Sequence, residues 1–148
     1  MSTDRPISYE SDFYGWIQQQ TALLRSRQLS TLDIDNIIEE LESLGRSERR
    51  ALLSQLTRLY LHLLKWHYQG DRRSRSWLVS IVDARLEIQR LLADNPSFKP
   101  WLPEAAIVAY ADARTKAQAE TGLSLDAFPI ELPFAWDQAM TQEVKLED

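Results

Sequence analysis

The sequence predicts an all-α protein: a single-domain bundle of five or six helices with an extended, proline-containing C-terminal tail. Apolar residues recur three and four positions apart along most of the chain and almost never alternate, which is the period of helices rather than of strands. Hydrophobic residues make up 44% of the 148 residues and charged residues 26%, so a chain of this length can bury a core. We therefore assign residues 1–148 to one domain.

The N-terminal third of the chain predicts two amphipathic helices. The first is expected to follow a cap at Ser11 and to fade near Gln28. Its face comprises Phe13, Trp16, Ile17, Gln20 and Leu24. The second is expected to open near Asp33 and to stop, or at least kink, at Gly45, because glycine commonly ends helices. Its apolar side chains are Ile34, Ile37, Ile38, Leu41 and Leu44.

The middle of the chain predicts two further helices. The third is expected over 47–66, and its apolar arc is wide enough for the centre of a bundle. The arc comprises Leu52, Leu53, Leu56, Leu59, Tyr60, Leu63, Leu64 and Trp66. After a turn at 70–71, Ser74 or Ser76 is expected to cap a fourth helix that ends before Asn95.

The C-terminal third predicts one alanine-rich helix and the tail. The helix is expected to begin near Pro103 and to stop at Gly122, and its alanines allow close helix approach. Prolines at 129 and 133 predict extended chain across the surface, followed by a short segment from Ala135. The aromatic residues of this region are interpreted as packing residues that latch the bundle or dock onto a second copy. They are Trp101, Phe128, Phe134 and Trp136.

Composition limits the function classes. A formal net charge of -5 and a pI near 5.1 argue against a protein that coats nucleic acid with its whole surface. The chain has no cysteine, which excludes disulfides and thiolate chemistry and fits a reducing compartment. The sequence shows no secretory signal and no apolar run long enough to cross a membrane. We therefore expect a cytoplasmic protein without a membrane partner.

Charge is strongly sorted in the middle of the chain. Residues 31–45 hold five acids and no base, whereas residues 46–75 hold eight bases and two acids. This sorting predicts that the two stretches face each other or that each faces a partner. Asp35, Glu39 and Glu42 line one side of the second helix, where like charges cost roughly 0.2 to 0.5 kcal/mol per pair. A cation is therefore expected opposite them.

The expected cations lie on the third and fourth helices, and together with the acids they define a polar cluster. Its members are Asp35, Glu39, Glu42, Arg58, His62, Lys65 and Arg85. Our preferred interpretation is a structural charge network that links the second, third and fourth helices, with carboxylate partners for Arg85. The alternatives are a ligand or metal pocket built from the same groups and simple solvation of the charges.

Several blocks of the chain resemble a known family. They are Tyr9–Trp16, Ile37–Gly45, His62–Trp66 and Arg73–Trp77, with Phe128-Pro129 near the end. In this order and spacing they resemble the bacterial family called domain of unknown function 29 over nearly the whole chain. The resemblance implies an all-helical fold and a bacterial protein, and it implies no known activity, cofactor or catalytic residue. The positions that match the family pattern are Glu39, Glu40, Glu42, His62, Lys65, Trp66, Arg73, Ser76 and Trp77.

A metal-dependent enzyme would centre on Glu39, Glu42 and His62, whose oxygen and nitrogen atoms suit a divalent ion. The Glu-x-x-His and His-Glu-x-x-His spacings of known helical metal sites are absent. Glu39-x-x-Glu42 matches half of the helical nucleotide pyrophosphatase pattern, but no Glu-x-x-Asp follows. The sequence also has no nucleophile elbow and no phosphate loop. We predict no metal and no cofactor, and the sequence favours a protein that is not an enzyme.

The arginine turn before the fourth helix defines a second candidate site. Its members are Arg72, Arg73, Arg75, Trp66 and Trp77. The cations and the free N–H groups of a helix start suit a phosphate, and the rings could stack on bases. We prefer the structural interpretation, in which the tryptophans belong to the core and the arginines pack on their rims. His67, which has no place in the family pattern, is interpreted as a core or helix-end histidine.

The sequence therefore favours a non-catalytic interaction or binding module, whose partner is a protein or a second copy of the chain. The first alternative is a nucleic-acid or phosphate-ligand binder that uses the Arg72 to Trp77 turn. The second alternative is the metal-dependent enzyme centred on Glu39, Glu42 and His62.

Overall fold

A computed structural model describes residues 7–147 of the chain. This part contains α-helices and short 3-10 turns and no β-strand, which confirms the all-α class. The helices are α1 (Phe13–Arg25), α2 (Ile34–Tyr68), α3 (Arg75–Asp94), α4 (Leu102–Thr121) and α5 (Trp136–Thr141). The fold divides into two compact units, one up to Arg46 and one from Ser47 onward. The assignment of the whole chain to one domain stays a prediction.

The helix ends follow the expected caps closely. Asp12, one residue after the expected cap, accepts a hydrogen bond from the backbone N–H of Gly15 at 3.0 Å and starts α1. Ser74 caps α3 as predicted, accepting from the N–H of Trp77 at 3.3 Å. Gly122 ends α4 in the left-handed conformation, with φ of 75°, which glycine adopts without a steric penalty.

The expected break at Gly45 is wrong. The second and third predicted helices form one helix, α2, of 35 residues. A single glycine in a helix interior costs only about 1 kcal/mol relative to alanine, and the neighbouring Glu, Leu and Arg residues favour the helix. The acidic stretch and the basic stretch that follows it therefore share one helix.

The first unit is held by polar contacts around Asp33. The indole N–H of Trp16 donates to the Asp33 carboxylate at 3.0 Å, and the backbone N–H of Asp33 donates to the side-chain oxygen of Gln20 at 2.8 Å. Bonds from Asn36 and Trp16 hold the pKa of Asp33 below its ordinary value. The Tyr9 hydroxyl donates to Glu40, which raises the pKa of Tyr9 to about 12.

The second unit contains the main hydrophobic core. Its members include Leu52, Leu56, Leu59 and Leu63 of α2, Ile81 and Ile88 of α3, and Ala105, Ala109, Ala113 and Ala117 of α4. The C-terminal stretch is anchored in this core instead of crossing the surface, because Phe128 and Phe134 are buried. The hydroxyl of Tyr110 donates to the Pro129 carbonyl at 2.6 Å, and Arg114 donates to the Phe128 carbonyl at 3.1 Å. The aromatic residues of the tail therefore latch the bundle.

Candidate functional site

The acidic side of α2 finds its cation on the same helix. Arg46 lies 3.2 Å from Glu39 and 3.9 Å from Glu42, and the three side chains are 49%, 57% and 63% exposed, respectively. Ion pairs this exposed contribute little to stability, at most about 1 kcal/mol each. Asp35 is exposed as well. The carboxylates of this stretch therefore form a solvated, negatively charged surface.

The predicted link between these glutamates and Arg58, His62, Lys65 or Arg85 stays a prediction. The cations have other partners within the second unit: Arg58 lies 3.8 Å from Asp83, and Lys65 lies 3.3 Å from Glu120.

Within residues 7–147, Arg85 makes no ion pair with a carboxylate, although its sequence position predicted one. Its Nε donates to the backbone carbonyl of Ala139 in α5 at 2.9 Å. One terminal nitrogen of the guanidinium is buried and has no hydrogen-bond partner within residues 7–147. Burial lowers the pKa of Arg85. Arg85 therefore links α3 to α5. The sequence could not predict this contact, because every residue has a backbone carbonyl and the sequence does not show which one accepts the bond.

His62 and Lys65 are engaged in structural contacts. The Nδ1–H of His62 donates to the Arg58 carbonyl at 2.8 Å. Because a carbonyl can only accept, this bond places the proton of the neutral imidazole on Nδ1. Burial lowers the pKa of His62, and the nearby Lys65 adds to this effect. The ammonium of Lys65 lies 4.7 Å from the ring centroid of Trp77, in addition to its ion pair with Glu120.

The metal hypothesis finds no supporting geometry. Across residues 7–147, no group of three or more His, Asp and Glu side chains is placed to hold a metal ion. Glu39 and Glu42 instead pair with the guanidinium of Arg46, and the Nδ1 of His62 is occupied by a backbone carbonyl.

The arginine turn divides into one packed and two exposed cations. Arg73 donates to the Trp66 carbonyl at 2.8 Å, and its guanidinium carbon lies 5.0 Å from the centroid of the Trp66 ring. Trp66 is only 4% exposed, so its ring is not available to stack on a base. Arg72 and Arg75 are exposed, and their side chains make no hydrogen bond or ion pair with the described part of the chain.

His67 lies at the C-terminal end of α2. Its ring centroid lies 5.5 Å from that of Phe134, and burial followed by the charge of Arg73 lowers its pKa. The residue is exposed rather than central in the core, in agreement with the helix-end interpretation.

An exposed apolar surface was missed by the sequence reasoning. Of the seventeen large apolar side chains that are exposed in residues 7–147, ten belong to the shorter first unit. On α2, Ile34, Ile38, Leu41 and Leu44 are 55%, 47%, 62% and 64% exposed. These four span about 120° of the helix, so they form one stripe, which we call the α2 stripe. The sequence reasoning had named them only as apolar side chains of the second predicted helix.

Comparison with family models gives a match over residues 8–144, to the domain of unknown function DUF29. The chain belongs to this family. The resemblance predicted from the sequence blocks is thereby confirmed. Comparison of this DUF29 chain with the curated proteins and with the solved structures finds no match. Within the described residues, no helix is both long and apolar enough to span a membrane.

Proposed function

We propose that this DUF29 protein is a non-catalytic interaction module of the cytoplasm, whose first unit binds a protein partner. The observation that carries the proposal is the concentration of exposed apolar side chains in that unit, the α2 stripe above all. Monomeric proteins rarely expose large contiguous apolar patches, and such patches mark interaction sites.

Charge indicates the kind of partner. Residues 7–46 carry seven carboxylates against three arginines, and Asp35 and Glu42 border the α2 stripe. A partner helix with an apolar stripe flanked by lysine or arginine would bury the four α2 side chains and neutralise the carboxylates beside them. We therefore propose a cationic amphipathic helix as the partner.

The polar residues of the second unit support a non-catalytic role. His62, Lys65 and Arg73 were the groups best suited to chemistry, and each is committed to a structural contact. Binding through the first unit needs none of them.

Photo-crosslinking in cells that naturally express the protein tests the proposal. A benzophenone amino acid in place of Leu41 should give a product of defined mass, and Glu42→Lys in the same chain should abolish that product. The matched control carries the benzophenone in place of Val79, which is 49% exposed in the second unit. Equal products at both positions, or none at position 41, would contradict the proposal. A product of twice the mass of the chain would show that the partner is a second copy of the chain and not a cationic helix of another protein.

A further inference from the structure

We infer that residues 41–47 of α2 are a switch segment, which opens from helix to coil while both units stay folded. Leu41 and Leu44, half of the α2 stripe, lie in this segment. The stripe is therefore a continuous surface only while the segment is helical. On the proposed function, on which this step rests, binding of the partner is coupled to closing of the segment.

The switch segment lies between two anchored parts of α2. Before it, Glu40 accepts a hydrogen bond from the hydroxyl of Tyr9 within the first unit. After it, Glu48 accepts from the side chain of Asn95 at 3.0 Å within the second unit. The boundary between the two units also falls here, after residue 46. The anchors hold the helix on each side and leave two turns between them.

These two turns receive little support from other elements. Ser43 is half-buried, and the other residues of the segment are exposed. In residues 7–147, the segment contributes nothing to the hydrophobic core cluster, and its side chains make no hydrogen bond or ion pair outside α2. Arg46 pairs with Glu39 and Glu42 along the helix, but pairs this exposed contribute little. Two helical turns without packing are marginal in water.

Gly45 makes opening easier. A Cβ at this position would meet no atom within 4 Å, so close packing does not require a glycine here. Glycine gains the most backbone freedom in the open chain, and apart from proline it is the residue least favourable to a helix. A glycine that packing does not require, in the unsupported part of a 35-residue helix, is the observation that carries the inference.

Residue-resolved hydrogen exchange of the full chain tests the inference. We expect amide protection factors at 44–47 to be at least about 100-fold smaller than those of Leu59 and Leu63 in the buried half of α2. Gly45→Ala should raise protection in the segment about five-fold, the equivalent of roughly 1 kcal/mol of helix preference. The matched control is Ala111→Gly, the reverse change at an exposed position of α4, which should leave the segment unchanged. Equal protection in the segment and at Leu59 would overturn the inference.

A second variant holds the segment open. Gly45→Pro removes a backbone donor and clashes with the preceding turn of the helix. If the segment opens independently of the second unit, the protection factors of Leu59 and Leu63 should change by no more than about three-fold. A loss of protection there would show that the second unit needs a continuous α2, and it would overturn the inference.

Crosslinking at position 41 separates the switch segment from the proposed partner. Gly45→Pro should reduce the crosslinked product at least about ten-fold, because the broken turn no longer holds Leu41 and Leu44 on one helix face. An undiminished product would refute the coupling of binding to closing. If the chain without Gly45→Pro gives no product, the proposed partner is wrong, whereas hydrogen exchange still tests the opening of the segment.

Discussion

The two ends of α2 carry similar apolar side chains and bury them differently. In the first unit Ile34, Ile38, Leu41 and Leu44 are about half exposed, whereas in the second Leu52, Leu56, Leu59 and Leu63 are buried. The difference lies in the width of the apolar arc. In the second half of α2, Leu53, Tyr60 and Leu64 widen the apolar arc, which packs against α3, α4 and the C-terminal stretch. In the first half, the apolar stripe is narrow and carboxylates border it. Arc width and flanking charge therefore distinguish the buried half of this helix from the exposed half better than periodicity alone.

The largest expected effect contrasts one leucine from each half. Leu56→Ala should reduce the free energy of unfolding by about 2 to 5 kcal/mol, because it leaves a cavity in the core. Leu41→Ala, at an exposed position, should change it by no more than about 0.5 kcal/mol. Denaturant midpoints measured at low protein concentration check both values. Equal losses would place Leu41 in a core and break the comparison.

The next effect separates two neighbouring arginines of the second unit. Arg73→Ala removes the bond to the Trp66 carbonyl and the packing on its ring, so we expect a loss of about 1 to 3 kcal/mol. Arg72→Ala is the matched control and should change stability by no more than about 0.5 kcal/mol. Melting temperatures of the two variants decide this. If they coincide, the arginine turn is not a packed element.

Acid should weaken the second unit through His62. Its pKa in the fold lies below the ordinary value of 6.5, so the unfolded chain binds the proton more readily. Its stabilising contribution is complete above that ordinary value and is lost as the pH falls towards the lower pKa of the fold. Urea midpoints at pH 7.5 and 5.5 should therefore differ, and His62→Gln should reduce the difference.

His67 and Asp33 provide controls for this interpretation. The pKa of His67 is also lowered. The difference between the two urea midpoints that remains in His62→Gln should therefore shrink further when His67→Gln is added. Asp33 contributes in a different pH range, because its pKa in the fold is lowered from the ordinary value of 3.8. Its stabilising contribution is complete above pH 3.8 and is lost only as the pH falls below that value. A wild-type protein that is equally stable at pH 7.5 and 5.5 would rule out the histidine contribution.

The smallest expected effect on stability is at Arg46. Arg46→Ala breaks two exposed ion pairs, so the free energy of unfolding should change by less than about 1 kcal/mol. The same variant makes the surface beside the α2 stripe more negative and should therefore tighten the crosslinked complex with a cationic partner. Weaker crosslinking at unchanged stability would instead indicate that the partner is acidic at this point.

Local signals predicted much of the fold. Ser74 and Gly122 fulfilled their roles because a cap and a left-handed C-terminus are decided by the residue itself and its nearest neighbours. The helix end predicted at Gly45 was wrong, because α2 continues through this residue. A glycine inside a helix costs about 1 kcal/mol, which is less than the summed helix preference of the residues around it.

The candidate sites were harder to predict, because their partners lie far away in the chain. Arg85 bonds to the carbonyl of Ala139, and the ring of Tyr60 in α2 stacks on that of Phe134 in the C-terminal stretch. Neither contact has a periodic signature. The packing of Arg73 on Trp66 was predicted, since a cation seven residues beyond a core tryptophan needed only a short turn to reach it.

The alanine face of α4 limits how this chain can vary. Alanine loses no side-chain rotamer freedom on burial, so Ala105, Ala109, Ala113 and Ala117 close the core without an entropic cost from their side chains. The same fit leaves no room for added methylene groups, which would force the neighbouring helices apart. Ile107 and Val108, exposed on the same helix, are free of this restriction. Sequence drift in α4 should therefore be confined to its outer face, and the spacing of the core helices is fixed by side chains of a single carbon.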